Sequence, residues 1–131
     1  MQSKQQLITQ GIQVSVLQEY KEQLSTPETG KFIYAYHITI ENVGDSTMQL
    51  LRRHWFIQDS LGPIREVEGP GVVGKTPILK PGDKFNYNSW TEMRTTIGRM
   101  YGFFTFQKEP NNELVEVVIP SFELVTSFKS N

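Results

Sequence analysis

Apolar and polar side chains alternate one by one along most of this chain. Near residues 11–21, Ile12, Val14 and Val16 alternate with polar neighbours, and residues 32–43 place aromatic and β-branched side chains on one face. A period of two matches a β-strand, in which successive side chains point to opposite faces of a sheet. Because β-branched and aromatic residues fill these segments, we predict strands that are half buried.

Further strand-like segments follow at short intervals, separated by turn residues. They lie at 47–60, 64–67, 84–91, 98–108 and 114–119, while residues 68–82 form a loop with at most a short edge strand at 76–79. Pro120 is expected to break the ladder after the last of them. The best helical candidate, Lys4–Gly11, is short and rich in glutamine. About seven short strands without a convincing helix predict an all-β domain, most simply a two-sheet sandwich.

Length and composition further limit the kind of protein that this chain can be. The 131 residues, of which 37% are hydrophobic, suit a single domain spanning residues 1–131. The chain lacks cysteine, which removes thiol catalysis and thiolate metal sites. Met1–Gln10 has no secretory apolar run and no segment is apolar enough to span a bilayer, so we expect a cytoplasmic protein without a membrane partner.

The charge distribution argues against a nucleic-acid partner. The net charge is −1, although residues 52–99 carry eight basic side chains against five acidic ones. A general nucleic-acid binder would show a stronger basic excess on its surface. We therefore expect an ordinary solvated surface and no nucleic-acid binding.

The segment from Gly69 to Lys75 is the most specific local motif. Gly69, Gly71 and Gly74 satisfy G-x-G-x-x-G, a pattern that in dinucleotide-binding proteins leads into a helix whose backbone N–H groups hold pyrophosphate. Here prolines follow instead of a helix, so that context fails. Two interpretations remain: a glycine-rich connection between strands, or a weaker anion-binding nest assisted by Lys75 and Arg65.

Residues for metal binding or catalysis are sparse. The chain has two histidines, His37 and His54, which fall on successive strands that we assign to different sheets, with both side chains pointing outward. Such a pair cannot share a cation, so we predict no metal site. Glu66 and Glu68 lie on one strand face and are expected to be solvated. No constrained catalytic group emerges, and we expect neither enzymatic activity nor a cofactor.

Aromatic residues are more informative. Trp55 is expected to fill the centre of the sandwich, and Arg53, two residues earlier on the same face, then needs a partner or a place at the rim of the sheet. Trp90 lies at a strand end among polar residues. Tyr101 and Phe103 alternate with other large side chains, so they are either covered by loops or buried by a partner.

Five segments together form a specific pattern: GIQVSV (11–16), YAYHITIENVG (34–44), QLLRRHW (49–55), REVEGPGVVGKTPILKPGDKFNYNS (65–89) and GRMYG (98–102). In this pattern the chain resembles the ApaG family, over about residues 5–127. The resemblance implies a fibronectin type III-like or immunoglobulin-like sandwich. It also implies an association with cobalt resistance and magnesium efflux, and it supplies no catalytic residue.

These observations predict a non-catalytic module that binds an unidentified protein partner. The predicted contact residues are Trp90, Tyr101 and Phe103, beside the Gly69–Lys75 loop. The alternative is a small-ligand or anion-binding domain that holds phosphate or pyrophosphate with Gly69, Gly71, Gly74, Lys75 and Arg65. Exposed edge strands would also allow two copies of the chain to pair.

Overall fold

The computed structural model describes residues 4–60 and 62–126, and strands form most of them. In chain order the strands are β1 (Lys4–Thr9), β2 (Ile12–Tyr20), β3 (Phe32–Asn42), β4 (Met48–Asp59), β5 (Ile64–Pro70), β6 (Ile78–Leu79), β7 (Lys84–Met93), β8 (Ile97–Lys108) and β9 (Glu113–Val125). Two single turns of 3-10 helix, Glu22–Leu24 and Pro27–Thr29, join β2 to β3. The predicted all-β class is confirmed, with more strands than the seven expected.

The strands form two antiparallel sheets that face each other. One sheet has the order β1-β2-β3-β7, and the other has the order β5-β4-β8-β9, with the short β6 also pairing with β4. This is the two-sheet sandwich predicted from the alternation, of the fibronectin type III-like and immunoglobulin-like kind. His37 on β3 and His54 on β4 therefore belong to different sheets, as predicted.

The core forms from the inward-facing residues of both sheets. Trp55 lies at its centre, 3% exposed, with ring centroids 5.4 Å from Tyr36, 6.5 Å from Phe104 and 6.0 Å from Phe122. The last two contacts are edge-to-face, an arrangement that aromatic rings favour. The prediction that Trp55 fills the centre is confirmed.

The first strand is the largest local difference from the sequence-based expectation. Lys4–Thr9, considered above as a helical segment, forms β1 and pairs with β2 along its length. The chain reverses at Gln10 and Gly11, both at positive φ (54° and 77°). The glutamine-rich segment has only a weak preference of its own, and pairing with an existing strand decides its conformation.

Pro120 does not end the last ladder. Strand β9 runs through it, and the register of the β8–β9 pair shifts between Met100 and Gly102, so that Met100 pairs with Phe122 and Gly102 with Ile119. A bulge of this kind leaves an extra residue unpaired, and a proline can occupy it without the loss of a ladder hydrogen bond. The expected break was wrong for this reason.

The two lateral sides of the sandwich differ, and this difference positions the candidate site. On one side the sheets are joined: the Val118 N–H donates to Thr9 Oγ1 (3.3 Å), and Gln18 Nε2 donates to the Glu123 carbonyl oxygen (2.9 Å). On the opposite side, β7 and β5 are the end strands of their sheets. Within residues 4–60 and 62–126, neither helical turn has the length or apolarity needed to cross a bilayer.

Candidate functional site

A groove opens between the two end strands, β5 and β7, on the inner surfaces of the sheets. Its volume is about 460 Å³. Its polar lining includes Tyr36, Arg53, Arg65, Tyr87, Ser89 and Glu92, and its apolar lining includes Trp55, Val67, Val72, Val73 and Trp90. The groove therefore combines two arginines and two tyrosines with an apolar rim.

Arg53 forms one wall of the groove. It lies on the inner face of β4, next to Trp55 in the alternation, and its Nη1 donates to the carbonyl oxygens of Pro70 (2.9 Å) and Gly71 (3.1 Å). A Cβ on Gly69 would lie 3.2–3.4 Å from the guanidinium, so a larger residue there would require the arginine to shift slightly. Arg53 thus finds the partner that its inward position requires, and it anchors the glycine-rich loop.

The Gly69–Lys75 loop uses several of its backbone donors internally. The Gly71 N–H donates to the Leu51 carbonyl (2.7 Å), while Val72 and Lys75 exchange N–H···O bonds of 2.9 Å each. Gly71 and Gly74 have φ of 63° and 77°, conformations that favour glycine. Three amides of the loop thus already donate to carbonyl oxygens, and Lys75 is exposed outside the groove lining.

Arg65 spans the open side. It projects from β5, and its Nη2 donates to the backbone carbonyl oxygen of Glu92 on β7 (2.8 Å) and contacts Met93 Sδ (3.6 Å). A side chain from the edge of one sheet thus contacts the edge of the other. Among the residues predicted for anion binding, Arg65 is the one that projects into the groove.

Tyr36 and Tyr87 form the floor and are 6% and 7% exposed. Burial raises the pKa of Tyr87, the neighbouring Tyr36 raises it further, and the positive charge of Arg53 acts in the opposite direction. Burial likewise raises the pKa of Tyr36, against a smaller lowering by Ser89 and Arg53. Both phenols therefore keep their protons at neutral pH and can donate hydrogen bonds. The hydroxyl of Tyr87 has no hydrogen-bond partner within the described residues.

Trp90 lies at the rim of the groove and is 65% exposed. On β7 it alternates with the inward-facing Tyr87 and Thr91, so its side chain leaves the strand on the outer surface of the four-stranded sheet. Tyr101 and Phe103 lie elsewhere: they pair with Phe56 and His54 on the outer face of the five-stranded sheet. The structure does not bring the three predicted contact residues together on one surface.

The outer face of the five-stranded sheet carries a row of stacked rings. The His54 ring centroid lies 5.0 Å from that of Phe103 and 4.6 Å from that of Phe56, which in turn stacks 5.1 Å from Tyr101. Arg99 covers the Tyr101 ring at 4.8 Å. Residues of strands β4 and β8 thus cover Tyr101 and Phe103, whereas the sequence-based interpretation expected side chains from loops.

Both histidines point outward. His54 Nδ1 lies 3.2 Å from Glu68 and its Nε2 lies 3.8 Å from Glu66, while His37 Nδ1 contacts Asn88 Oδ1 at 2.5 Å on the other sheet. Across residues 4–60 and 62–126, no three histidine, aspartate or glutamate side chains gather closely enough to hold a metal ion.

Sequence reasoning missed two groove residues, Tyr36 and Tyr87. Their alternation marked them as inward-facing, but nothing local distinguished a core tyrosine from one that lines a groove. Arg53 gave the available signal, because an arginine on the Trp55 face had to contact something polar. Together these features define an immunoglobulin-like sandwich domain with a cationic groove between the edge strands β5 and β7.

Known proteins of this architecture match most of the chain. The model of the ApaG domain matches residues 22–108. The Protein ApaG of Rhodospirillum centenum is 45% identical over 117 residues, covering 89% of each chain, and that of Acidithiobacillus ferrooxidans is 44% identical over 116 residues, covering 88% of this chain and 91% of the relative. The crystal structure of an ApaA protein from Bordetella pertussis superposes with a TM-score of 0.84 at 37% identity, covering 88% of this chain and 93% of the other. The chain belongs to the ApaG family.

Proposed function

We propose that this domain is a non-catalytic module that binds another protein through the rim of the groove between β5 and β7. The observation that carries the proposal is Trp90, a large aromatic side chain 65% exposed at the mouth of a groove. Tryptophan is among the residues that most often dominate binding energy, because its large surface is costly to leave in water.

The surroundings of Trp90 support the same proposal. Val67 and Val73 also line the groove and are 41% and 55% exposed, so the apolar surface continues across the mouth from β7 to β5. The buried core of a protein interface is typically apolar and surrounded by a polar rim, so a continuous apolar surface of this kind suits such a core. The backbones of two end strands also offer N–H and C=O groups to an extended segment of a partner.

The alternative function is binding of a small anion at the Gly69–Lys75 loop. Arg65 in the groove supports it, and Val72 and Val73 of the loop reach the same lining. The hydrogen bonds that the loop already makes count against it, since the amides of Gly71, Val72 and Lys75 donate to carbonyls of β4 or of the loop itself. Amide chemical shifts of this loop during titration with pyrophosphate would test the alternative directly.

Capture from cell extract with an immobilised domain tests the protein-binding proposal. We expect Trp90→Ala to reduce capture of at least one specific protein by tenfold or more, on the order of a hot-spot loss. Leu114→Ala is the matched control, because Leu114 on β9 is exposed to a similar extent, 64%, and lies outside the groove lining. The captured protein must then be purified and its affinity for both variants measured.

Equal loss of capture in the two variants, or none in either, would contradict the proposed surface. A native mass of twice the chain mass that falls to that of one chain on Trp90→Ala would identify the occupant as a second copy. A marked drop in melting temperature for Trp90→Ala would show instead that the residue supports the fold.

We further propose that the association with cobalt resistance and magnesium efflux acts through the bound protein and not through a metal held by this domain. His37 and His54 lie on the outer faces of opposite sheets, which supports this view. Equilibrium dialysis is expected to show no stoichiometric tight binding of cobalt. Tight binding that is lost on His54→Ala would contradict it.

A further inference from the structure

We infer that the groove recognises a carboxylate side chain of the partner, presented from an extended segment that lies along the edge strands. This inference rests on the proposed function and specifies its chemistry. Arg53, Arg65 and the Tyr87 hydroxyl would hold the carboxylate inside the groove, while Trp90 and the two valines of the rim contact its neighbours. Four features of the groove support it.

The first feature is charge. Two arginines line the groove, whereas Glu92 alternates outward on β7 and holds Arg65 through its backbone carbonyl oxygen. The groove therefore carries positive charge in a protein whose net charge is −1. Charge complementarity favours an acidic side chain of the partner.

The second feature is the hydroxyl of Tyr87. The side chain is 7% exposed, lines the groove, and its oxygen has no hydrogen-bond partner in the part of the chain that the structure describes. A buried polar group without a partner destabilises a fold, and such groups are rare in native proteins. A carboxylate oxygen would accept the phenolic hydrogen and satisfy it.

The third feature is the fixed position of the arginines. Two loop carbonyls hold Arg53 through Nη1, and the carbonyl of Glu92 holds Arg65 through Nη2. Each guanidinium has five N–H donors, so both keep others for an acceptor in the groove. Because the side chains are already ordered, binding loses less conformational entropy.

The fourth feature is the backbone around the groove. Strand β7 ends one sheet and β5 ends the other, so each offers an edge to an added strand. In strand addition, main-chain hydrogen bonds align the peptide, and alternate side chains enter pockets on one face. A segment aligned in this way would direct one acidic side chain into the groove and place apolar neighbours against the rim.

Selection of phage-displayed random 12-residue peptides on the intact domain tests the inference. We expect enriched peptides to share one aspartate or glutamate with apolar residues two positions away. Replacement of that acid by its amide in a synthetic peptide should weaken binding at least tenfold in fluorescence polarisation. Tyr87→Phe should weaken it about tenfold to a hundredfold, the loss of one charge-assisted hydrogen bond.

Tyr20→Phe is the matched control. The Tyr20 hydroxyl is also buried without a partner among the described residues, but Tyr20 does not line the groove, so its variant should bind the selected peptides unchanged. Arg65→Gln should weaken binding as strongly as the change in the peptide. Phosphate or pyrophosphate at millimolar concentration should not displace the peptide.

The outcomes separate this inference from the function on which it rests. If the selected peptides depend on Trp90 but share no acidic residue, carboxylate recognition is overturned and the proposed binding surface is still supported. Acidic peptides whose affinity is unchanged by both Arg65→Gln and Tyr87→Phe would also overturn it. Failure to enrich any groove-dependent peptide, or displacement by pyrophosphate, would count against it too.

Discussion

The two sheets of this sandwich are connected differently at its two lateral sides. On one side β1 and β2 approach β9, and the contacts from Thr9 to Val118 and from Gln18 to Glu123 join the sheets. On the other side β5 and β7 stay apart, and Arg65 bridges the gap with a hydrogen bond to the Glu92 carbonyl. One side is closed by strands, and the other remains a groove lined by polar groups.

Under the proposed function, this difference separates a side that supports the fold from a side that offers a surface for binding. Apolar residues on the closed side, such as Ile119 and Leu124, are fully buried, so they stabilise the fold and leave no apolar surface for a partner. On the open side, the exposed side chains of Trp90, Val67 and Val73 and the buried Tyr87 side chain line one groove. Substitutions on the two sides should therefore affect different measurements.

The largest expected effect is on the closed side. Leu124→Ala removes a side chain that is 0% exposed and leaves a cavity, so the free energy of unfolding should fall by about 2–5 kcal/mol. Val67→Ala at the groove rim should lower it by less than about 1 kcal/mol, because this side chain already contacts water. Urea unfolding of both variants measures the contrast, and equal losses would contradict the division between the sides.

The next effect concerns the anchor of the glycine-rich loop. Arg53→Met removes the donor to two carbonyls, so we expect a loss of about 1–3 kcal/mol and faster hydrogen exchange in the Gly71–Lys75 amides. Arg52→Met is the control, since Arg52 is an exposed neighbour on the same strand. Unchanged exchange in Arg53→Met would show that the loop holds its shape without the arginine.

A smaller effect, of opposite sign, is expected at the floor of the groove. Tyr87→Phe removes a buried hydroxyl that lacks a protein partner, so the free energy of unfolding should stay constant or rise by up to about 1 kcal/mol. Tyr20→Phe should have the same small effect on the free energy of unfolding. Unlike Tyr87→Phe, it should not weaken peptide binding. A loss above about 1 kcal/mol in Tyr87→Phe would mean that the hydroxyl serves the fold.

The smallest expected effect is at the rim. Trp90→Ala and Leu114→Ala remove comparably exposed side chains, so each should change the free energy of unfolding by no more than about 0.5 kcal/mol. Thermal unfolding followed by circular dichroism compares them. If Trp90→Ala alone is clearly destabilised, Trp90 supports the fold and does not belong to the proposed binding surface.

The sequence predicts the fold far better than the site, and the reason is physical. Alternation reports on burial within a strand, so the spans of β2, β3, β4 and β8 are predicted to within a residue or two. It cannot reveal pairing that depends on another strand, which is why β1 was missed. It also gives no sign that a bulge would absorb Pro120.

The groove depends on residues that are distant in the chain. Arg53, Arg65 and Tyr87 come from β4, β5 and β7, and they meet because of which strands end each sheet. Strand order is set by tertiary packing, so local periodicity could not place these side chains together. Trp90 was identified from its polar neighbours alone, whereas its separation from Tyr101 and Phe103 required the register of both sheets.

The most direct test follows the two tryptophan indole N–H signals by NMR while the protein captured from extract is added. Trp55 is buried in the core and Trp90 is exposed, so the two signals report on different parts of the domain. We predict that the Trp90 indole and the amides of Val67 and Val73 shift or broaden, while those of Tyr101 and Phe103 stay unchanged. Shifts confined to Tyr101, Phe103 and their neighbours on the outer face would contradict the account.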